Sequence, residues 1–359
     1  MRLVPIGGRT ADHRRAGRPV RVLASMTALM AGLLTAAGCQ ASSSSTAEPT
    51  FTDSNNVIKV AETPGVGDAP LFIAFQQGLF RKAGLQVRIT NYGSTKTELS
   101  ALRAGVVDVA FGDYADMFYA QAQAQGKTNQ AQRLNLVIVA DGYNAVANTM
   151  EVLTLPTSHI VTPKNLVGKK IGTAPPGVMP SNVAGQPYSL DTVATQSVLQ
   201  NDNVNPADIH WVPLRTPLIS ALATHQVDAI LATEPTIFEA ESQLGAIPVL
   251  DSATGATSNL PLDGYFSTRA FASAHSSKLT AFRNVLYRAQ ALANNQSQPV
   301  RTTLEGSEGM SVQDASLLTI GQYPTTVSVN DLQRVIQLMF FFNAIPSQPS
   351  VKAMIFGSH

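Results

Sequence analysis

Cysteine is almost absent from this chain of 359 residues, Cys39 being its only one. Disulfides within the chain and thiolate metal clusters are therefore excluded. Charge is sparse too: 14% of residues are charged against 44% hydrophobic, and 25 Lys and Arg nearly balance 24 Asp and Glu, leaving +1. That balance provides neither a basic face for nucleic acid nor an acidic tail. The sequence has no HExxH pair, no GxSxG or SxxK, and no GxxxxGK[ST] phosphate loop, and its six histidines are scattered. The usual zinc, acyl-transfer and nucleotide signatures are thus missing, which weighs against an enzyme without deciding the matter, since triads are spatial. No cofactor or metal is expected. What is present is apolar residue enough for two domains of about 100–200 residues each.

The small net charge hides an asymmetry. Six arginines (Arg2, Arg9, Arg14, Arg15, Arg18, Arg21) and one acid, Asp12, fall in the first 38 residues, so the remainder carries about −4. The arginine-rich start is followed by an apolar run from Val22 to Leu34 and then Thr35-Ala36-Ala37-Gly38-Cys39, the order of a secretory signal. The run is too short to span a bilayer comfortably. The small residues before Cys39 resemble a bacterial lipobox, with Ala36 where leucine is usual. The resemblance implies a signal peptide over 1–38 and a lipidated Cys39 as the first mature residue. Gln40 to Asn56 is a Ser/Thr/Ala stretch without enough apolar surface to order itself, and reads as a tether over 39–56. The anchor is expected on the outer face of the cytoplasmic membrane, with an outer-membrane destination left open.

The globular part alternates in type. Val57 to Ala61 reads as a strand; Asp68-Ala69-Pro70 opens a helix carrying Leu71, Ala74, Phe75, Gly78 and Leu79 at helical spacing, which Gly84 stops. Leu85 to Thr90 is a second strand, Thr95 and Glu98 sit at capping-box spacing on the next helix, and Val106 to Phe111 is a third strand. Such an order predicts parallel α/β units whose ligands bind at the carboxyl ends of strands. An internal repeat at an offset of 120 supports two copies of the unit. Ser100-Ala101-Leu102, Val107-Asp108 and Phe118-Tyr119-Ala120 align without a gap on Ser220-Ala221-Leu222, Val227-Asp228 and Phe238-Glu239-Ala240. The segment from Gly172 to Leu190 is longer than its counterpart and holds four prolines, so it reads either as a lid or as a surface insertion.

Three segments carry a family resemblance: Ala69 to Ala74 with Gly78 to Leu85; Ala101-Leu102-Arg103-Ala104-Gly105 with Val106 to Ala110; and Leu166-Val167-Gly168-Lys169-Lys170-Ile171-Gly172. Together with Val227-Asp228-Ala229 and Glu234-Pro235, they resemble the ABC-transporter substrate-binding lipoproteins for nitrate, alkanesulfonates, taurine and thiamin-pyrimidine precursors. The resemblance implies an α/β, two-lobed periplasmic binding protein type II fold, each lobe a mostly parallel sheet flanked by helices, with the ligand cleft between lobes. Lobe 1 would comprise 57–150 and 263–345, lobe 2 would be 151–262, and 346–359 would be a carboxyl-terminal tail. Late helical stretches with Leu279, Phe282, Leu286, Ala289 and Leu292, and with Leu332, Val335, Ile336, Met339 and Phe340, would complete the core of lobe 1.

Position at predicted strand ends nominates the cleft lining. In the first lobe these are Asp68, Tyr92, Gly93, Ser94, Thr95, Gly112, Asp113, Tyr114, Asp141 and Tyr143; in the second they are Thr173, Ser189, Arg215 and Glu234. Asp68, Thr95 and Ser189 read equally as helix caps, and the tyrosines as surface residues. Asp68, Asp113, Asp141 and Glu234 outnumber Arg215 and Lys96, which disfavours a bare anion and favours a nitrogen-containing or zwitterionic solute.

The expected function is capture of a small organic solute (a sulfonate, a taurine-like amine or a pyrimidine) by hinge closure, and its delivery to an ABC permease and ATPase by a monomer. Two other classes stay open. One is a ligand-sensing lipoprotein without transport. The other is an enzyme related to a pyrimidine synthase that uses an iron-binding cysteine cluster, which this chain lacks.

Overall fold

The computed structural model describes residues 56–125, 135–175, 177–178 and 189–357. Cys39, the signal segment and nearly all of the tether lie outside the described residues, as does most of the proline-bearing stretch between Gly172 and Leu190.

The first sheet is formed by β1 (Val57–Glu62), β2 (Gln86–Asn91), β3 (Val109–Asp113) and β4 (Leu136–Asn144), with β10 (Pro261–Thr268) inserted late, in the order β2-β1-β3-β10-β4. The second holds β5 (Met150–Thr154), β6 (Lys170–Thr173), β7 (His210–Pro213), β8 (Ala229–Thr233) and β9 (Ile247–Asp251), in the order β7-β6-β8-β5-β9. Each sheet has three parallel strands followed by an antiparallel insert: β10 runs against β3, and β5 against β8. The chain passes between the sheets at 145–149 and again at 252–260.

The helices are α1 (Ala69–Gln76), α2 (Leu79–Lys82), α3 (Thr95–Arg103), α4 (Tyr114–Gln125), α5 (Leu190–Asn201), α6 (Leu218–Ala223), α7 (Thr236–Leu244), α8 (Arg269–Ala274), α9 (Ser276–Asn295), α10 (Ser297–Glu308), α11 (Val312–Ala315), α12 (Val329–Phe341) and α13 (Val351–Met354). The single helix expected from Asp68 to Gly84 is two, because Gly78 takes a left-handed φ of +65° that no helix interior accommodates. Gly84, at φ +75°, then ends the second.

The repeat is carried into three dimensions. β3 and β8 are offset by 120 residues, and Asp108 and Asp228 do the same work in each sheet. Asp108 Oδ2 accepts from Lys59 N at 2.9 Å, and Asp228 Oδ2 accepts from Lys170 N at 2.8 Å. Ser267 Oγ donates to the Asp108 carbonyl and Thr154 Oγ1 to that of Asp228, both at 2.7 Å. Each of these two donors lies on the antiparallel insert of its own sheet.

Leu279, Phe282, Leu286 and Ala289 of α9 and Leu332, Val335, Ile336 and Met339 of α12 are buried. Phe340 departs from expectation at 44% exposure: it follows Met339 directly, and 100° per residue turns it off the buried stripe. Residues beyond 345 pack onto the first sheet, with Phe356 N donating to the Ile138 carbonyl at 2.9 Å.

Candidate functional site

The carboxyl ends of β1, β3, β6 and β8 converge on one cavity of about 460 Å³ between the sheets. From the first sheet it is lined by the loop Thr63–Gly67, by Ser94, Thr95 and Glu98 of the α3 turn, by Phe111 to Asp113, and by Asp116, Tyr143, Leu262 and Asp263. Thr149 comes from the segment between the sheets, and the second sheet side adds Pro175, Gly177, Ser189, Asp191 and Thr233 to Thr236.

Of the residues nominated from sequence, Ser94, Thr95, Gly112, Asp113, Tyr143, Ser189 and Glu234 line this cavity. The others do not. Asp68 is buried beneath the Thr63–Gly67 loop, where its Oδ1 accepts from Gly65 N at 3.3 Å. Tyr92 packs half-buried against the core, and Gly93, at φ +70°, is exposed. Thr173 is buried at the end of β6, and Arg215 is exposed in the turn before α6.

Tyr114 and Asp141 are hydrogen-bonded to each other inside the core. A register step separates Asp141 from Tyr143, although both lie within β4 and not after it. Tyr143 pairs with Asp263 and Asp141 with the next residue, Gly264, so Gly142 is the extra residue of a bulge. Two residues that would ordinarily share a face are thereby sent to opposite faces. Tyr143 goes to the cavity; Asp141 goes to Tyr114 and to Ser328 N, from which its Oδ2 accepts at 3.3 Å.

The α3 cap also differs from expectation. Ser94, not Thr95, is the N-cap, its Oγ accepting from Thr97 N at 3.4 Å. Glu98 makes no capping box but turns inward, where its Oε1 accepts from Thr63 Oγ1 at 2.7 Å. Its Oε2 is buried at the cavity wall with no hydrogen-bond partner. Ser189 is both liner and cap: its Oγ accepts from Thr192 N at 3.3 Å, and Thr192 Oγ1 accepts from Ser189 N at 2.9 Å.

Six carboxyl groups line the cavity, namely Glu98, Asp113, Asp116, Asp191, Glu234 and Asp263, and among the described residues no Lys, Arg or His joins them. Burial lifts the Glu98 carboxyl to about 8, with Thr63 opposing and the Glu62, Asp263 and Asp116 charges adding. Burial followed by the Asp191 charge raises Asp263 to about 7, and burial raises Asp191 to about 6. Asp113 is held well above the carboxylate range by burial and then by Asp116, Asp263 and Asp191. Asp191 is on the second lobe and Asp113 and Asp263 on the first, so like charges face each other across the cavity.

Some contacts already cross between the lobes. Asp116 Oδ1 accepts from Val178 N at 2.7 Å. Glu234 Oε2 accepts from Phe238 N at 3.1 Å within its own lobe, while Oε1 accepts from Thr319 N at 3.0 Å in the late segment that also binds the first sheet. In that segment Gly321 N donates to Tyr143 Oη at 2.7 Å, and Tyr323 Oη donates to the Val66 carbonyl at 2.8 Å, bracing the cavity loop.

Sequence position missed Glu98, Asp116, Asp191, Asp263 and the Thr63–Gly67 loop. Asp191 was within reach, two residues past a nominated cap; Asp263 was not, because nothing local reveals that its strand inserts between β3 and β4.

Two α/β lobes, each with strand ends turned toward a shared cavity, define a two-lobed binding-protein fold of the type II periplasmic class. The family described as NMT1/THI5 like matches residues 67–299, and the chain belongs to that family. No curated protein matches the chain in sequence. Among solved structures, the periplasmic aliphatic sulphonate binding protein SsuA from Escherichia coli aligns at 18% identity and TM-score 0.66, over 84% of this chain and 97% of its own. The periplasmic nitrate-binding protein NrtA from Synechocystis aligns at 13% identity and 0.63, over 83% and 84%. The desulfurization enzyme DSZB aligns at 14% identity and 0.63, over 83% and 96%. At such identities the likeness is one of fold.

Proposed function

We propose that the chain is the extracytoplasmic solute-binding component of an ABC importer, tethered through a lipidated Cys39. It would take a small organic solute between lobes 57–150 plus 263–345 and 151–262, and present the closed form to a permease and its ATPase. The observation that carries this reading is the cavity walled by strand ends of both sheets. A ligand there touches both lobes, and only a ligand that does so can favour the closed arrangement over the open one. Micromolar affinity corresponds to about 8 kcal/mol, within reach of an enclosed small solute with several directed hydrogen bonds. Of the nominated residues, Ser94, Thr95, Gly112, Asp113, Tyr143, Ser189 and Glu234 are the proposed contacts, joined by Glu98, Asp191 and Asp263.

Likeness to a desulfurization enzyme shows that this fold also hosts chemistry. Among the described lining residues there is no Cys, His or Lys. Native mass spectrometry of the full chain, purified in mild detergent and then denatured, tests the reading. A stoichiometric small molecule, with uptake of that compound lost on deleting the gene, is the expected result. A bound molecule with uptake intact would favour a sensor, and an empty protein with no effect on uptake would refute the importer.

A further inference from the structure

Resting on that reading, the charge of the cleft narrows the ligand. Relatives with this fold bind sulfonate and nitrate, yet every ionisable side chain on the described cavity wall other than Tyr143 is an acid. The proline-bearing segment cannot reverse this, because residues 174–190 contain no Lys, Arg or His. The helix amino termini that ordinarily receive anions are also compromised. α3 and α5 open onto the cavity, but the Ser94 and Ser189 side chains each take up one first-turn N–H, those of Thr97 and Thr192, and each first turn brings its own carboxyl, Glu98 or Asp191. Near pH 7 the Asp191 carboxylate outweighs the roughly half-charge of its helix terminus, and Glu98, lifted to about 8, gives an anion nothing to pair with. A sulfonate would therefore enter a wall with no cation to meet it.

We propose that the cleft takes an organic cation whose protonated amine lies between Glu98 and Asp263 of the first lobe and Asp191 of the second, and that cancelling the like charges facing each other across the cleft is what closes it. Three observations support the placement. Glu98 is 0% exposed, yet its Oε2 is unpartnered at the cavity wall, so a hydrogen-bond acceptor has been desolvated there without a donor. Asp263 projects from β10 beside Gly67, where a Cβ would stand only 3.0 Å from Oδ2, so this glycine lets the loop approach the carboxyl. Finally, Asp191 raises both Asp263 and Asp113 from the opposite lobe, so that charge on either side opposes closure until a cation intervenes. Among the described residues no three such groups converge on a metal-sized point, so the negative charge is spread along the wall, as suits an extended amine.

The test is calorimetry and thermal shift on the full chain in mild detergent, with 1,4-diaminobutane, 4-guanidinobutylamine, taurine, ethanesulfonate, nitrate and calcium as probes. At least one of the two amines is expected to bind at or below about 100 μM, with ethanesulfonate and nitrate inert. Glu98→Gln, Asp263→Asn and Asp191→Asn should each weaken that amine at least about tenfold. Asp191→Asn should in addition contract the ligand-free protein in solution scattering, an effect a merely structural residue would not produce. Binding of an anion or of calcium without an amine overturns the cation assignment and leaves the solute-binding reading standing. Silence of all probes at about 10 mM overturns it as well. Only an empty protein in the mass measurement, with uptake unaffected, removes the solute-binding reading itself.

Discussion

Replacing Glu98 by Gln should make the ligand-free protein more stable while impairing its function. The carboxyl has an ordinary value of 4.5 and is lifted to about 8 by burial, so in the folded state it holds its proton over a range where the unfolded chain has lost it. A carboxyl raised in this way lowers stability progressively as pH rises from about 4.5 to about 8, and beyond that the loss is complete. At 1.36 kcal/mol per unit, the cost is about 1 kcal/mol at pH 5, about 3 kcal/mol at pH 7 and near 5 kcal/mol above pH 8. Glutamine has no such titration, keeps an oxygen for Thr63 Oγ1, and puts an amide donor where Oε2 has no partner. With an unfolding entropy of roughly 2.1 cal/mol/K per residue, 3 kcal/mol corresponds to a rise in Tm of about 5 °C at pH 7. Thermal unfolding of both proteins between pH 5 and pH 9 is the assay. The signature is a gap that widens with pH; a gap of constant size, or a less stable Glu98→Gln protein at pH 8, would refute the argument. Stability gained by removing a group that function requires is the usual behaviour of binding sites.

Other consequences concern the scaffold. Gly142→Ala should cost about 1–3 kcal/mol in denaturant unfolding, since a Cβ there would stand 2.5 Å from a Phe111 ring carbon and 2.9 Å from the Asp263 carbonyl oxygen at the bulge. Asp108→Ala and Asp228→Ala should destabilise by similar amounts, about 1 kcal/mol each, because each carboxylate accepts one strand N–H in equivalent places; a difference above about 2 kcal/mol would argue against equivalence of the lobes. Tyr323→Phe removes the bond to the Val66 carbonyl and should cost about 1 kcal/mol while weakening ligand binding by loosening the Thr63–Gly67 loop. Unchanged affinity in that variant would separate the loop from the site.

Alternating strands and amphipathic segments made the α/β character legible, because side-chain period follows directly from backbone geometry. The repeat was legible for a related reason: Asp108 and Asp228 make local contacts that each unit needs independently, so both copies keep the residue at the same spacing. Strand ends, and with them half of the nominated lining, followed from the rule that parallel α/β units bind at carboxyl ends. What sequence could not supply was the direction of individual side chains. Asp141 and Tyr143 are two residues apart on one strand and would be read as sharing a face; the bulge at Gly142 sends one to the core and the other to the cavity.

The amino-acid sequence by itself therefore determined the class of fold, the doubling of its unit and the scarcity of basic residues near predicted strand ends. Tertiary structure alone decided which acids meet. Asp263 reaches the cleft because β10, about 150 residues after β3 in the chain, pairs with it, and Glu98 turns inward to Thr63, 35 residues away. Asp191 faces them from the other lobe. Contacts over such separations depend on how two sheets pack, a property of the folded whole that no local periodicity encodes, and they set the charge that a ligand meets.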